Sequence, residues 1–324
     1  LRAENGLFDI VVFDEASQMP TAEAIGSLAR GKSAVIVGDP KQLQPTSFFN
    51  TNFTGDETSD YEDTESVLDD CLAPGMPEKH LTWHYRSKHE SLIAFSNTTY
   101  YGGKLCTFPS PDAPDSHVHL ALVENGVYDR GFTKRNKEEA RALVADVIRR
   151  LKDPVLCRSS IGVVTFSNVQ KEYIERKLSV EIAAAKLEEV AYDREEPLFV
   201  KNLENVQGDE RDVILFSVCY GPDKNGRVSL NFGPLNQTGG WRRLNVAVSR
   251  AREEMTVFTS ITAAMIDLSK TNSKGVAGLK AFLEFAQKGK TTLAISSDNL
   301  KKNEAGIGKY VAEGLSQYGY ECRY

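Results

Sequence analysis

The sequence predicts an α/β protein with mainly parallel sheets and helices on both faces. Three observations carry that prediction. Short apolar runs alternate with segments of helical period along most of the 324 residues. The runs are continuous in Val and Ile rather than alternating with polar residues, as in strands covered on both faces. Polar, acid-bearing segments follow the first two runs directly, and open α/β sheets place ligands at the carboxyl ends of strands.

The expected strands are 8–13 (FDIVVF), 33–37 (SAVIV), 118–123 (VHLALV), 161–166 (IGVVTF), 197–201 (PLFVK), 212–219 (DVILFSVC) and 254–259 (EMTVFT). A helix over 20–30 separates the first two. It has Pro20 at its first position, where the fixed φ and missing N–H are tolerated. Residues 87–90 (SKHE) have capping-box spacing and open a helix running to about Tyr100. Asn136, with Glu139 three residues on, reads as the N-cap of a helix to Leu151. There Ala140, Leu143, Val144, Val147, Ile148 and Leu151 share one face. Candidate linkers are 50–63, 103–117 and 286–303, and the tail from Lys301 reads as a helix entering a strand.

A composition of 41% hydrophobic and 26% charged residues excludes collagen-like repeats, coiled coil and disorder throughout. The length predicts two domains. No window holds eighteen consecutive apolar residues, so no membrane partner is expected. The five Cys (71, 106, 157, 219, 322) are scattered with no CxxC pair. That argues against a disulfide framework or a zinc site and fits a cytoplasmic location. The chain opens on Leu1 rather than Met, as a piece of a longer polypeptide would. The net charge of −6 is concentrated: residues 55–70 hold eight acids and no base, and without them 39 Lys and Arg face 37 acids. A nucleic-acid partner is therefore not excluded. The acidic run itself reads as a solvated loop lying away from any anion site.

Two segments carry chemistry. Asp14 and Glu15 end the first apolar strand, and a Mg²⁺-nucleotide site needs such a pair, one acid for the metal and its neighbour for water. Gly38-Asp39-Pro40-Lys41-Gln42-Leu43-Gln44-Pro45 ends the second strand in the same way, so its polar residues belong beside the first pair.

These residues resemble motifs II and III of superfamily 1 helicases. The rest of the chain is similar to the remaining motifs in order: 81–89 (LTWHYRSKH) to motif IV, 202–214 (NLENVQGDERDVI) to motif V and 244–252 (LNVAVSRAR) to motif VI. The match is nearest to the RNA-surveillance-like branch. It implies two RecA-like P-loop NTPase units, 1–80 and 81–290, with ATP and Mg²⁺ between them. A single strand of nucleic acid, DNA in preference to RNA, would cross their tops.

The resemblance also implies roles. Asp14 holds the metal, Glu15 activates water, and Gln42 senses the γ-phosphate. Arg86 and Arg250 reach across the cleft as arginine fingers, typically worth ~10³–10⁵ in rate. Asp39, Gly208, Glu210 and Arg252 complete the ATP site; Arg252, on a helix pointing away from Arg250, is either structural or a second phosphate contact. Thr165, Ser167, Asn168 and Asn202 contact the strand's backbone, the other reading being plain helix capping by Ser167 or Asn168. Trp83 and His84 admit two readings, a groove lining or, for Trp83, core packing. No G-x-x-x-x-G-K-[ST] occurs, so the phosphate cradle is expected in a preceding part of the same polypeptide and the chain alone is expected to be inactive. Residues 304–324 are similar to the opening of endonuclease-like domains appended to some bacterial helicases. Alternatives are an ATP-gated clamp without unwinding, or the motor of a helicase–nuclease.

Overall fold

The computed structural model describes residues 6–45, 66–110 and 116–293. Two parallel sheets organise them. The smaller pairs β1 (Val11–Phe13) with β2 (Ala34–Ile36). The larger has five strands in the order β3-β7-β6-β4-β5, with β3 Val118–Leu122, β4 Ile161–Thr165, β5 Phe199–Asn202, β6 Arg211–Ser217 and β7 Ala251–Thr259. Every pairing between these strands is parallel.

The larger sheet lies between two helical layers. Leu143, Val144 and Val147 of α4 (Lys137–Lys152) pack on one face, beside Ile174, Leu178 and Ile182 of α5 (Asn168–Ala185). Val163, Val213 and Leu215 supply the strand side of that face. On the other face Val164, Ile214, Phe216 and Val257 meet α3 (Ser91–Tyr100), α7 (Gly240–Val248) and α8 (Lys274–Lys288). Successive residues of a strand point to opposite faces, so a Val/Ile run without polar breaks needs cover on both. The smaller sheet has a smaller core, Phe13, Ala16, Ala24, Val67 and Leu68, closed by α1 (Thr21–Leu28) and α2 (Val67–Leu72).

Several expectations are corrected. Pro20 is the N-cap of α1, not its first helical residue, with extended ψ 138 and an isolated bridge to Ser66. The spacing at Ser87 is not a capping box, because α3 starts at Ser91 and Ser87 Oγ donates to Ala251 O. The capping box present is Ser66–Asp69, at the start of α2. The last five residues of the acidic run therefore form a helix start with Val67 and Leu68 buried, not a solvated loop. Strand β7 begins three residues earlier than expected, at Ala251, so Arg252 lies in a strand and not on a helix. Residues 286–288 are the last turn of α8 rather than linker. Asn136 caps α4 as expected, accepting from Glu139 N. The rest of the acidic run, the linker 50–63, residues 111–115, the stretch from 294 and the endonuclease-like tail lie outside the described residues.

Candidate active site

The smaller sheet offers its carboxyl edge. Asp14 and Glu15 follow β1, and Asp14 Oδ1 accepts from Glu15 N at 2.9 Å. Glu15 has φ 50, a left-handed backbone that a non-glycine residue rarely adopts and that is found at functional turns. Gly38, after β2, sits so close to this turn that a Cβ would come 2.9 Å from Ser17 N. The glycine thus lets the two strand ends approach. Asp39 then organises its loop: Oδ1 accepts from Lys41 N at 2.8 Å and Oδ2 from Gln42 Nε2 at 2.9 Å.

The larger sheet offers its amino edge. Arg250 and Arg252 flank the first residue of β7, and Glu210 directly precedes β6. The segment before α3 docks there, with Lys88 N donating to Arg252 O at 2.7 Å, and this brings Arg86 to the same edge. Arg86 Nε meets Glu210 Oε2 at 2.6 Å. Arg250 is 2% exposed and donates through Nε to Val246 O at 2.7 Å, at the end of α7. Burial and the neighbouring Arg86 lower its pKa to about 10, with Tyr101, Glu15 and Glu210 acting in the opposite sense. It stays charged at neutral pH. His84 lies in the same cluster. Burial, then Arg86 and Arg250, depress its pKa to about 4, so it is neutral there.

The loop 203–210 joins the two sets. It returns from the carboxyl end of β5 to the amino end of β6, held to the sheet face by buried Leu203 and Val206. At its end Gln207 reaches the smaller sheet: Nε2 donates to Glu15 Oε2 at 3.2 Å, and Oε1 accepts from Leu43 N at 3.2 Å. Gly208 follows with φ 86 and open space where a Cβ would stand. Arg242 donates to Pro40 O at 3.1 Å and to Gln44 Oε1 at 2.8 Å across the same junction. The segments carrying Glu15, Asp39 and Gln42 therefore meet the segment carrying Gly208 and Glu210, with Arg250 near Glu15.

Other predicted residues have different surroundings. Arg252 is held by Glu196, Asp212 and Ser160, with Glu210 at 3.5 Å. The bond from Glu196 is foremost in holding the guanidinium charged. Of its two readings the ATP contact is corrected in favour of the structural one, a strut under the edge, since its donors are spent on Glu196, Asp212 and Ser160. Glu210 is engaged by Arg86 and Arg252 rather than open to a ribose. Thr165 is fully buried and donates to Ser167 O, which removes it as a strand contact. Ser167 caps α5 at 6% exposure, and Asn202, 4% exposed, donates to Asn168 Oδ1 at 2.6 Å. Of this set only Asn168 is exposed, so the strand-binding assignment fails for Thr165, Ser167 and Asn202. Trp83 is not in the core: it is 43% exposed and stacked on Phe108. Gln207, Tyr101 and Asn245 were not singled out in the sequence, although Gln207 and Asn245 lie inside motif-like segments.

For Mg²⁺, the fit rests on Asp14, exposed at the strand end. Among the described residues no group of three or more His, Cys, Asp or Glu is gathered for a metal. Mg²⁺ takes one or two carboxylates and completes its shell with phosphate oxygens and water. Among the described residues no helix is long and apolar enough to cross a membrane.

Residues 63–262 match a family model described as an AAA domain, and residues 1–49 match a second model with the same description. The chain is 32% identical over 329 residues to the "Uncharacterized ATP-dependent helicase MG140 homolog" of Mycoplasma pneumoniae, covering 96% of this chain and 28% of that protein. It is 24% identical to the mouse "DNA-binding protein SMUBP-2", over 78% of this chain and 24% of that one. It is 25% identical to the human "Probable helicase senataxin", over 82% of this chain and 10% of that one. The chain thus spans under a third of the length of these relatives.

Proposed function

The chain belongs to the AAA-domain family, in the superfamily 1 helicase branch that its motifs resemble, and from that premise we propose that it carries the catalytic cleft of an ATP-driven motor on single-stranded nucleic acid. The observation that carries the reading is the contact of Gln207 with Glu15, which joins the segments resembling motifs V and II with Arg86 and Arg250 close by. Two RecA-like units, 1–80 and 81–290, would close on ATP, with the P-loop supplied by a preceding part of the polypeptide.

Asp14 would hold Mg²⁺ together with phosphate oxygens, and the ion supplies charge neutralisation there. Glu15 takes the proton of the attacking water, and its left-handed turn aims the carboxylate into the cleft. Gln42, tethered through Asp39, meets the γ-phosphate. Arg250 lies in a buried setting where its charge acts strongly on developing negative charge. Arg86 is held by Glu210 and moves from that carboxylate to phosphate when nucleotide enters. Tyr85, 86% exposed beside Arg86, presents an open ring on which a base can stack. Single-stranded DNA is the partner favoured, the mouse relative's name being that of a DNA-binding protein. Strand binding through backbone phosphates would weaken as salt rises.

The test is ATP hydrolysis by the full-length protein with single-stranded DNA and RNA supplied separately. Glu15→Gln is expected to lower turnover by about 10²–10⁴ while ATP still binds. Wild-type turnover in that variant would remove the assignment. Strand binding gated by ATP with no unwinding would identify a clamp instead.

A further inference from the structure

Tyr101, directly after α3, belongs to the larger sheet's helical layer, yet its hydroxyl donates to Asp39 Oδ2 of the smaller sheet at 2.6 Å. That same carboxylate oxygen accepts from Gln42 Nε2 at 2.9 Å. The phenol oxygen in turn accepts from Asn245 Nδ2 at 3.0 Å, and Asn245 also donates to Lys41 O at 2.9 Å. Asn245 is 1% exposed, on α7. The residue after it, Val246, gives the carbonyl that accepts from Arg250 Nε at 2.7 Å. One continuous run of hydrogen bonds and helix backbone therefore joins Gln42 to Arg250 through Asp39, Tyr101 and Asn245.

We propose that Tyr101 is a positioning residue that ties the placement of Gln42 to the placement of Arg250, so that both meet the γ-phosphate together. The idea rests on the ATP-hydrolysing reading above. The geometry goes beyond simple docking of two surfaces. Arg242 and Gln207 already join the two parts without touching Gln42. Tyr101 instead bonds to the same carboxylate oxygen, Asp39 Oδ2, that anchors the Gln42 side chain. Losing the hydroxyl would leave Asp39 anchored within its own loop, by Lys41 N and Gln42 Nε2, and would cut its tie to the larger sheet's helical layer. Burial, and then Asp39, keep the phenol protonated, so it remains a donor throughout the working pH range. A hydrogen bond from a phenol to a carboxylate in a part-buried site is strong and directional, as positioning requires.

The test uses the full-length protein and five variants: Tyr101→Phe, Asp39→Asn, their combination, Asn245→Ala, and Glu15→Gln as reference. Tyr101→Phe keeps the ring and removes only the hydroxyl. It is expected to lower kcat for strand-stimulated ATP hydrolysis about tenfold, with KM for ATP within about twofold. Asp39→Asn is expected to act in the same direction, and the combination to be no worse than the worse single change, because both break one link. Asn245→Ala, which removes the hydroxyl's other partner, should also lower kcat more than it raises KM. A kcat for Tyr101→Phe within about twofold of wild type, a rise in KM with kcat unchanged, or losses that multiply in the combination would each overturn the proposal. Wild-type turnover in Glu15→Gln would instead sink the ATP-hydrolysing reading on which it rests.

Discussion

Glu15 and Thr165 both end parallel strands at the carboxyl edge, and their surroundings are opposite. Glu15 is exposed, in a left-handed turn, beside a glycine that leaves room at Gly38. Thr165 is fully buried, and the edge around it is closed by Ser167, Asn202 and Gln170 bonding within the fold. Behind that edge Glu139 is wholly buried, accepting from Ser217 Oγ and Cys219 N, both at 2.6 Å. The rule that ligands gather at carboxyl edges holds for the smaller sheet's acids. In the larger sheet the residues facing them lie at the amino edge instead, because β6 and β7 begin there with Glu210 and Arg250 beside them. A carboxyl edge thus serves chemistry where its polar groups are left for a ligand, and serves stability where they satisfy one another.

Changes at Arg250 should widen that contrast most. Arg250→Lys in the full-length protein keeps the charge but loses the planar fork, and phosphate release is expected to fall by at least ~10³. The same change at Arg252, spent on Glu196 and Asp212, should leave turnover nearer to wild type and act on stability. Equal losses at the two would erase the distinction between edge chemistry and edge strut.

Next in size is packing. Leu215 is fully buried between the sheet and its α4–α5 layer, whereas Val12 on β1 is 60% exposed. Leu215→Ala should cost about 2–5 kcal/mol in urea unfolding, and Val12→Ala within about 0.5 kcal/mol. A comparable loss at Val12 would mean that the smaller sheet is packed as tightly as the larger.

The smallest effect expected is one of pH. Burial raises Glu139 to about 8 from 4.5, so the folded state binds a proton that the unfolded chain has released. That stability is fully present below the unfolded pKa and is lost as pH rises through the folded value. His84, depressed to about 4 from 6.5, works the other way, and its contribution is complete above its unfolded pKa. In the window from about 6.5 to 8 the His84 contribution is flat, and Glu139, with Glu204 raised by burial in the same sense, lowers stability as pH rises. The Tm should fall across it, and Glu139→Gln should flatten the slope. An unchanged slope would assign the pH dependence elsewhere.

The sequence was sufficient for the class and for much of the cleft. Unbroken Val/Ile runs must be covered on two faces, and that is local information. The acid pair after β1 and the Gly-Asp-Pro after β2 were legible because each follows a strand at short range, whereas Arg86 and Arg250 were reached through the motif resemblance. Tertiary structure alone decided which edge each strand end offers. Thr165 and Glu15 look alike in sequence, and only packing separates a hydroxyl turned back on Ser167 O from a carboxylate left in the cleft. It also decided that Arg252 belongs to a strand and its carboxylates, since the start of β7 is set by pairing with β6 through a register shift between Arg211 and Val213. The Tyr101–Asp39 bond spans 62 residues and joins two sheets, and no periodicity or spacing encodes it. Strand identity is fixed by near neighbours along the chain, whereas the partner of a polar atom is fixed by whichever distant group the packed fold brings within hydrogen-bonding distance.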